Sequence, residues 1–223
     1  MSLESRKGTA LQDPGADMVD QVTGLWERYG RIVLGALAAI VVVAAVAYFT
    51  LRSNETQEVA ASEKLAQANA LFWQGDYDRS KTIADEVAKQ YGGTPSGIDA
   101  LRISGDDAYW RGNWKDAITQ YKAYLGKNGS GLMGNVVRRS LAYSHESDKQ
   151  HAEAVKLYDG LVGAFDRESS GEFLAASARC LEALGNKAEA AKRLQRLTDE
   201  FGETSYASRA RVKLAELSAA AAN

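Results

Sequence analysis

The chain has 223 residues, 27 lysines and arginines against 29 aspartates and glutamates, and a formal net charge of −2. That balance, with aromatics that do not interleave with a basic patch, argues against nucleic acid as a partner, which calls for a basic excess on one face. A single cysteine, Cys180, excludes an intrachain disulfide and reads as a small buried apolar residue rather than a reactive thiol.

Residues 1–31 are too few and too polar to bury a core. Residues 1–17, with Gly8, Pro14 and Gly15, read as disordered. Residues 18–30 read as an amphipathic lead-in, with Met18, Val22, Leu25, Trp26 and Tyr29 at helical spacing. The segment 1–31 is expected on the cytoplasmic side.

Residues 32–51 read IVLGALAAIVVVAAVAYFTL, with no charge between Arg31 and Arg52. At about 1.5 Å per residue such a helix spans roughly 30 Å, the hydrocarbon thickness of a bilayer. A helix also pairs its own backbone groups, which lipid demands. Trp26 and Tyr29 precede the run and Tyr48 and Phe49 close it, where aromatic belts sit. Buried core helices usually have shorter apolar runs, of about 10–14 residues. A cleaved signal peptide has support in Ala45-Val46-Ala47. However, the preceding segment carries Glu4, Asp13, Asp17, Asp20 and Glu27, unlike a short basic leader. Arg28 and Arg31 stand on one side of the run and Arg52 alone stands close on the other. The positive-inside tendency then puts the N-terminus in the cytoplasm and residues 52–223 in the periplasm, across a bacterial inner membrane. Gly35, Ala38, Ala39 and Ala45 make a small-residue face suited to packing on a neighbouring membrane helix, with lipid exposure as the alternative.

Residues 52–223 repeat. The stretches WQGDYDRSKTIADEV (73–87), WRGNWKDAITQYKAY (110–124), SDKQHAEAVKLYDGL (147–161) and ALGNKAEAAKRLQRL (183–197) align. Small residues recur at Ser80, Ala117, Ala154 and Ala190, with steps of 37, 37 and 36. A second series, Ala68, Gly105, Ala142 and Ala178, keeps the same steps, and Ala215 continues it. Two antiparallel helices approach closely only where both lack bulk, so the series predict helix pairs. Trp73, Tyr77, Trp110, Trp114, Ile118, Tyr121, Tyr158 and Leu181 are among the large residues expected to fill the flanks. Gly75-Asp76, Gly112-Asn113 and Gly185-Asn186 supply left-handed C-caps and following N-caps. The third turn, Ser147-Asp148-Lys149-Gln150, has no glycine and is expected to be looser.

This pattern over 58–217 resembles the tetratricopeptide repeat, with GDY (75–77) and GNW (112–114) as its most specific pieces. The period of about 37 exceeds the usual 34, and the extra residues fall in inter-repeat loops. The expected fold is all-α. It has one transmembrane helix, then a tetratricopeptide-like α-solenoid of about four helix pairs, closed by a capping helix within 201–217. In architecture, and in the segment LWERYGRIVLGALAAIV (25–41), the chain resembles YfgM-type membrane-anchored proteins, ancillary to the Sec translocon. That resemblance implies a periplasmic repeat domain in contact with the translocon and periplasmic chaperones. The pieces 94–114 and 203–217 also resemble repeats of outer-membrane assembly lipoproteins.

The usual catalytic motifs are missing from the sequence. GKNGSGLMG (126–134) places its lysine at the wrong end for a phosphate loop. No G-x-S-x-G, C-x-x-C or H-E-x-x-H occurs. His145 and His151, with Glu146 and Asp148 between them, offer a conceivable metal site. Six-residue spacing across a turn does not fix ligands, so neither metal nor cofactor nor small-molecule substrate is expected.

The remaining expectation is surface contact. The first helix of each pair would line a groove, presenting Leu65, Asn69 and Phe72; Arg102, Asp106 and Tyr109; Arg139, Tyr143 and Glu146; and Arg179 and Glu182. Arg102, Arg139 and Arg179 fall at comparable heights, and arginine with tyrosine is an interface composition, although a solvated face carries the same letters. The chain thus reads as a non-enzymatic scaffold for membrane or periplasmic proteins, held to the bilayer by residues 32–51. The alternative is a stable accessory subunit of another large inner-membrane complex, respiratory or photosynthetic.

Overall fold

The computed structural model describes residues 14–221, so the expectation of disorder for 1–13 lies outside it, as do the side chains of Met18, Val22 and Leu25. Nine helices and no strands occur among the described residues. Helix α1 is Pro14–Trp73. It begins with proline at its first position, where the missing N–H removes no helical bond, so 14–17 are helical rather than disordered. The chain divides after Asn54 into two units.

In the first unit, every residue from 31 to 52 is exposed. The hydroxyl of Thr50 donates to the carbonyls of Val46 and Ala47 at 3.0 and 2.9 Å. The only side-chain hydroxyls in 32–51 are those of Tyr48 and Thr50, near its end. This helix is long and apolar enough to cross a membrane.

The second unit alternates first and second helices. The end of α1 pairs with α2 (Tyr77–Gln90), α3 (Pro95–Trp110) with α4 (Trp114–Lys127), α5 (Gly131–Ser147) with α6 (His151–Leu161), and α7 (Arg167–Ala183) with α8 (Lys187–Glu200). Helix α9 (Ala207–Ala221) follows alone. All eight small positions of the two series are buried. At Gly105 the reason is direct: an added Cβ would stand 2.6 Å from the Tyr121 ring. Ala215, the fifth member of its series, is exposed, because no second helix follows α9 among the described residues. Buried side chains form one cluster per junction. One joins Leu65, Ala68, Val87 and Ile103, and the next Ala117, Tyr121 and Leu141. A third joins Ala154, Tyr158 and Phe173, and the last Leu181, Leu194 and Ala210. Each repeat therefore leans only on its neighbours, the energetic signature of a solenoid.

Two expectations need correction. Trp73 and Trp110 are 82 % and 62 % exposed, and Trp114 is 38 % exposed, so they do not fill the core. They sit at helix ends, beside the turns, where no neighbouring helix reaches over them. The aromatic rings cover one another instead, with Tyr77 stacked on Trp110 at 6.3 Å. The third turn is also no looser than the others. Lys149 takes φ 61°, against 75–79° for Gly75, Gly112 and Gly185. Its N–H bonds the Glu146 carbonyl at 3.0 Å and that of Gln150 bonds His145 at 2.8 Å, the same pair of bonds the glycine turns make. The closing geometry of the pair holds the lysine in a left-handed conformation that costs a Cβ-bearing residue about 1 kcal/mol. Lys149→Gly should therefore raise the unfolding free energy by about 0.5–1 kcal/mol in a denaturant titration.

Candidate binding face

Of the side chains expected to line the groove, some enter two cavities and some form internal ion pairs, while Leu65, Asn69 and Phe72 do neither. The first cavity, about 160 Å³, lies among α3, α4 and α5 and is lined by Asp106, Tyr109, Trp110, Tyr121, Ser140 and Tyr143. The second, about 530 Å³, lies among α7, α8 and α9. Its room comes from small residues, Ala175, Ala176, Ala178 and Ala210. Its polar groups are Glu172, Arg179, Glu182, Tyr206, Arg209 and Lys213.

The three arginines are not equivalent. Arg102 forks onto Asp99 at 2.7 and 2.8 Å and reaches Asp106 at 2.9 Å, all on its own helix. Burial disfavours its charge, but the two carboxylates outweigh this and raise its pKa. Arg139 lies over the Phe165 ring at 5.5 Å. Arg179 crosses to Glu146 at 2.6 and 3.0 Å, and the Tyr158 hydroxyl donates to the same carboxylate at 2.7 Å. Burial pushes the Glu146 pKa up, yet those donors bring it below the ordinary value. Asp106 accepts from the Tyr121 hydroxyl at 2.6 Å, and burial still holds its pKa above the ordinary value.

Asp106, Tyr109 and Tyr143 are thus brought together with Trp110, and Arg102 stands behind Asp106. Arg179 and Glu182 belong to the second cavity, where Glu182 accepts from Lys213 at 2.9 Å. Tyr143 links the two cavities by donating to Glu172 at 2.5 Å. Asn69 and Phe72 are half-buried and line neither cavity, and Phe72 meets Trp73 and Tyr77 edge-on. Leu65 does not face a groove: it is 6 % exposed within the first core cluster. The sequence reading missed Tyr121, Ser140, Glu172, Tyr206, Arg209 and Lys213. Asp99, three residues before Arg102, was findable as a same-helix ion pair; the Tyr143–Glu172 bond joins residues 29 apart and was not.

The histidines do not converge on a ligand site. His145 is buried, its Nδ1 lies 2.9 Å from Gln150 Oε1, and burial lowers its pKa. No group of three or more His, Cys, Asp or Glu side chains that could hold a metal ion occurs among the described residues. Cys180 is buried, and burial, with the Glu146 carboxylate nearby, pushes its thiol up to about 12.

Stacked helix pairs with cavities on the first-helix face define a helical repeat protein of the solenoid class. The profile of a tetratricopeptide repeat-like domain matches residues 24–183, and that of a tetratricopeptide repeat matches 176–204. The chain belongs to the tetratricopeptide repeat-like family. The longer match takes in the apolar run as well as the repeats through α7. No protein of curated function matches the chain by sequence. Among solved structures, a tetratricopeptide repeat protein from Parabacteroides merdae superposes with a TM-score of 0.60 at 14% identity, over 71% of this chain and 60% of that one. Nearly identical tetratricopeptide-like repeats from Podosopora anserina give 0.56 at 16% identity, over 70% and 84%. MamA from Desulfovibrio magneticus gives 0.53 at 17% identity, over 64% and 76%. These likenesses carry the fold. Tetratricopeptide repeats are protein-contact scaffolds, and this chain's repeat domain is one.

Proposed function

We propose that the protein is a membrane-anchored, non-enzymatic scaffold whose repeat domain binds other proteins in the periplasm, as an adaptor to the translocon and its chaperones. The observation that carries this reading is the uncharged, wholly exposed helical run 32–51, joined to the repeat domain within one family match. Tethering replaces three-dimensional search by a high local concentration, so weak groove contacts suffice. The YfgM-type resemblance supplies the translocon and chaperones as partners, and the arginines flanking the run supply the orientation.

A second reading, a stoichiometric subunit of another large inner-membrane complex, is favoured by the helix itself. Gly35, Ala38, Ala39 and Ala45 are exposed, and a Cβ at Gly35 would meet nothing within 4 Å. Such a face lets another helix approach closely. Affinity purification of the full chain in mild detergent separates the readings. A spread of chaperones and translocon components means adaptor, and one complex in fixed ratio means subunit. Gly35→Leu with Ala39→Leu should reduce recovery of membrane partners several-fold if the face is used. Unchanged recovery would assign the face to lipid.

A further inference from the structure

Six aromatic residues flank the first two helix-pair turns. Phe72, Trp73 and Tyr77 stand at the first, and Tyr109, Trp110 and Trp114 at the second. The corresponding positions of the next two pairs hold Glu146, Ser147 and His151, then Glu182, Ala183 and Lys187. Those pairs close with the same turn hydrogen bonds, so the fold does not demand the rings. Ring contacts run unbroken from Trp73 through Phe72, Tyr77 and Trp110 to Tyr109, at centroid separations of 5.4, 5.5, 6.3 and 6.1 Å. Trp73 and Trp110 nevertheless stay largely exposed. A contiguous apolar strip left in water marks an interaction surface.

The polar groups along the strip select what it takes. Its carboxylates are committed: Asp76 to Arg79 at 3.3 Å, Asp78 to Arg111 at 2.6 Å, and Asp116 to Lys81 at 3.0 Å. These pairs leave a cationic ligand without an open carboxylate. The indole N–H groups of Trp73, Trp110 and Trp114 only donate, and none makes a hydrogen bond among the described residues. The Asn113 side chain, unlike those of Asp76 and Asn186, does not cap its helix, so its amide is uncommitted too. The ligand that suits such a strip is apolar, offers carbonyl acceptors and brings no N–H of its own. A helix keeps its carbonyls bonded internally, and an extended strand or a sugar brings donors that need acceptors. A polyproline II segment meets every condition: its rings are apolar, its backbone makes no internal hydrogen bonds, and proline has no N–H. Its conformation is also fixed before binding, so little entropy is lost on docking to aromatic rings. The chain itself holds only Pro14 and Pro95, so the segment belongs to another polypeptide. We infer that this aromatic strip is a docking surface for a proline-rich segment of a partner protein. The inference rests on the scaffold reading above and deepens it by naming the partner's chemistry.

The test titrates the full chain, in detergent micelles, with acetyl-octaproline-amide, which spans roughly 25 Å at about 3.1 Å per residue. An acetylated Gly-Ser octapeptide amide and chitohexaose are the comparison ligands, and tryptophan fluorescence and calorimetry report binding. Octaproline should saturate below about 1 mM, about ten-fold tighter than the Gly-Ser peptide. Trp73→Ala and Trp110→Ala should each weaken it about five-fold and leave the helical circular dichroism melt unchanged, because both side chains are largely exposed. Trp73→Phe keeps a ring and removes the N–H, and should weaken it about three-fold. No saturation by about 10 mM overturns the inference. So does equal binding of the Gly-Ser peptide, or octaproline binding that both alanine substitutions leave unchanged. Chitohexaose binding more tightly than octaproline assigns the strip to carbohydrate and overturns the polypeptide occupant. Failure of octaproline leaves the scaffold reading standing, whereas a chain that co-purifies with nothing removes that reading and not the strip.

Discussion

Gly97→Ala should destabilise the repeat domain by roughly 3 kcal/mol, although alanine is the better helix former by about 1 kcal/mol. Gly97 lies in the first turn of α3, where the chain leaving α2 folds back across it. A Cβ there collides with the carbonyl oxygen of Tyr91, and backbone cannot step aside as a flexible side chain can. Gly134, at the same place in α5, meets the Gly129 carbonyl, and Gly171 in α7 meets Thr204 Oγ1 at 2.8 Å. Gly160→Ala is the control. That glycine lies inside α6 with nothing within 4 Å of an added Cβ, so the change should stabilise by about 0.5–1 kcal/mol. Thermal or denaturant unfolding of the two variants should give opposite signs. Equal effects would mean that the chain leaving α2 does not fold back across Gly97 as described.

Asp107→Asn should stabilise the protein at pH 8 and leave it nearly unchanged at pH 4. Asp107 is fully buried between α2 and α3. Its Oδ2 accepts from the Ser80 hydroxyl at 2.7 Å, while its Oδ1 has no partner. Burial, only partly relieved by Ser80, raises its pKa to about 7, with Asp106 and Asp85 adding to the rise and Lys81 opposing it. The folded state therefore holds a proton that the unfolded chain, at about 3.9, releases earlier. For a carboxyl raised in this way, stability falls as pH climbs from about 4 to about 7 and stays low above. The ceiling of the effect is roughly 4 kcal/mol. The asparagine amide can donate to Ser80 Oγ, leaving a carbonyl oxygen where Oδ1 stood. Urea unfolding from pH 4 to 8 should show the wild-type slope flattened in Asp107→Asn. A parallel pair of curves would place the titrating group elsewhere.

The helix pairs were legible because two series of small residues repeat with one period, and a period survives any uncertainty about where single side chains point. Ser80 was read as small and is so, but it also donates to one oxygen of a buried carboxyl one helix away, which no local pattern encodes. A third periodic series, Gly97, Gly134 and Gly171, stood in the sequence at steps of 37 and was overlooked, because loop glycines beside it masked its helical position. The turn at Lys149 shows the opposite error. Residue preference predicted looseness, while the packing of α5 on α6 fixed the backbone regardless of which residue occupied it. The groove was legible as a composition and not as a geometry. Arg102 and Arg179 look alike at matching heights, yet one is held by its own helix and the other by the preceding first helix. The exposed tryptophans misled for a related reason: Trp73 and Trp110 end helices and Trp114 begins one, where apolar bulk has no opposite wall.

The most direct test of a membrane-held contact domain is protease added to intact spheroplasts expressing the full chain. The account predicts that residues 55–223 are digested from outside, while a fragment carrying the N-terminus and the apolar run stays protected in the membrane pellet. A repeat domain that survives undigested inside the cell, or that leaves with the supernatant in one piece, would contradict it.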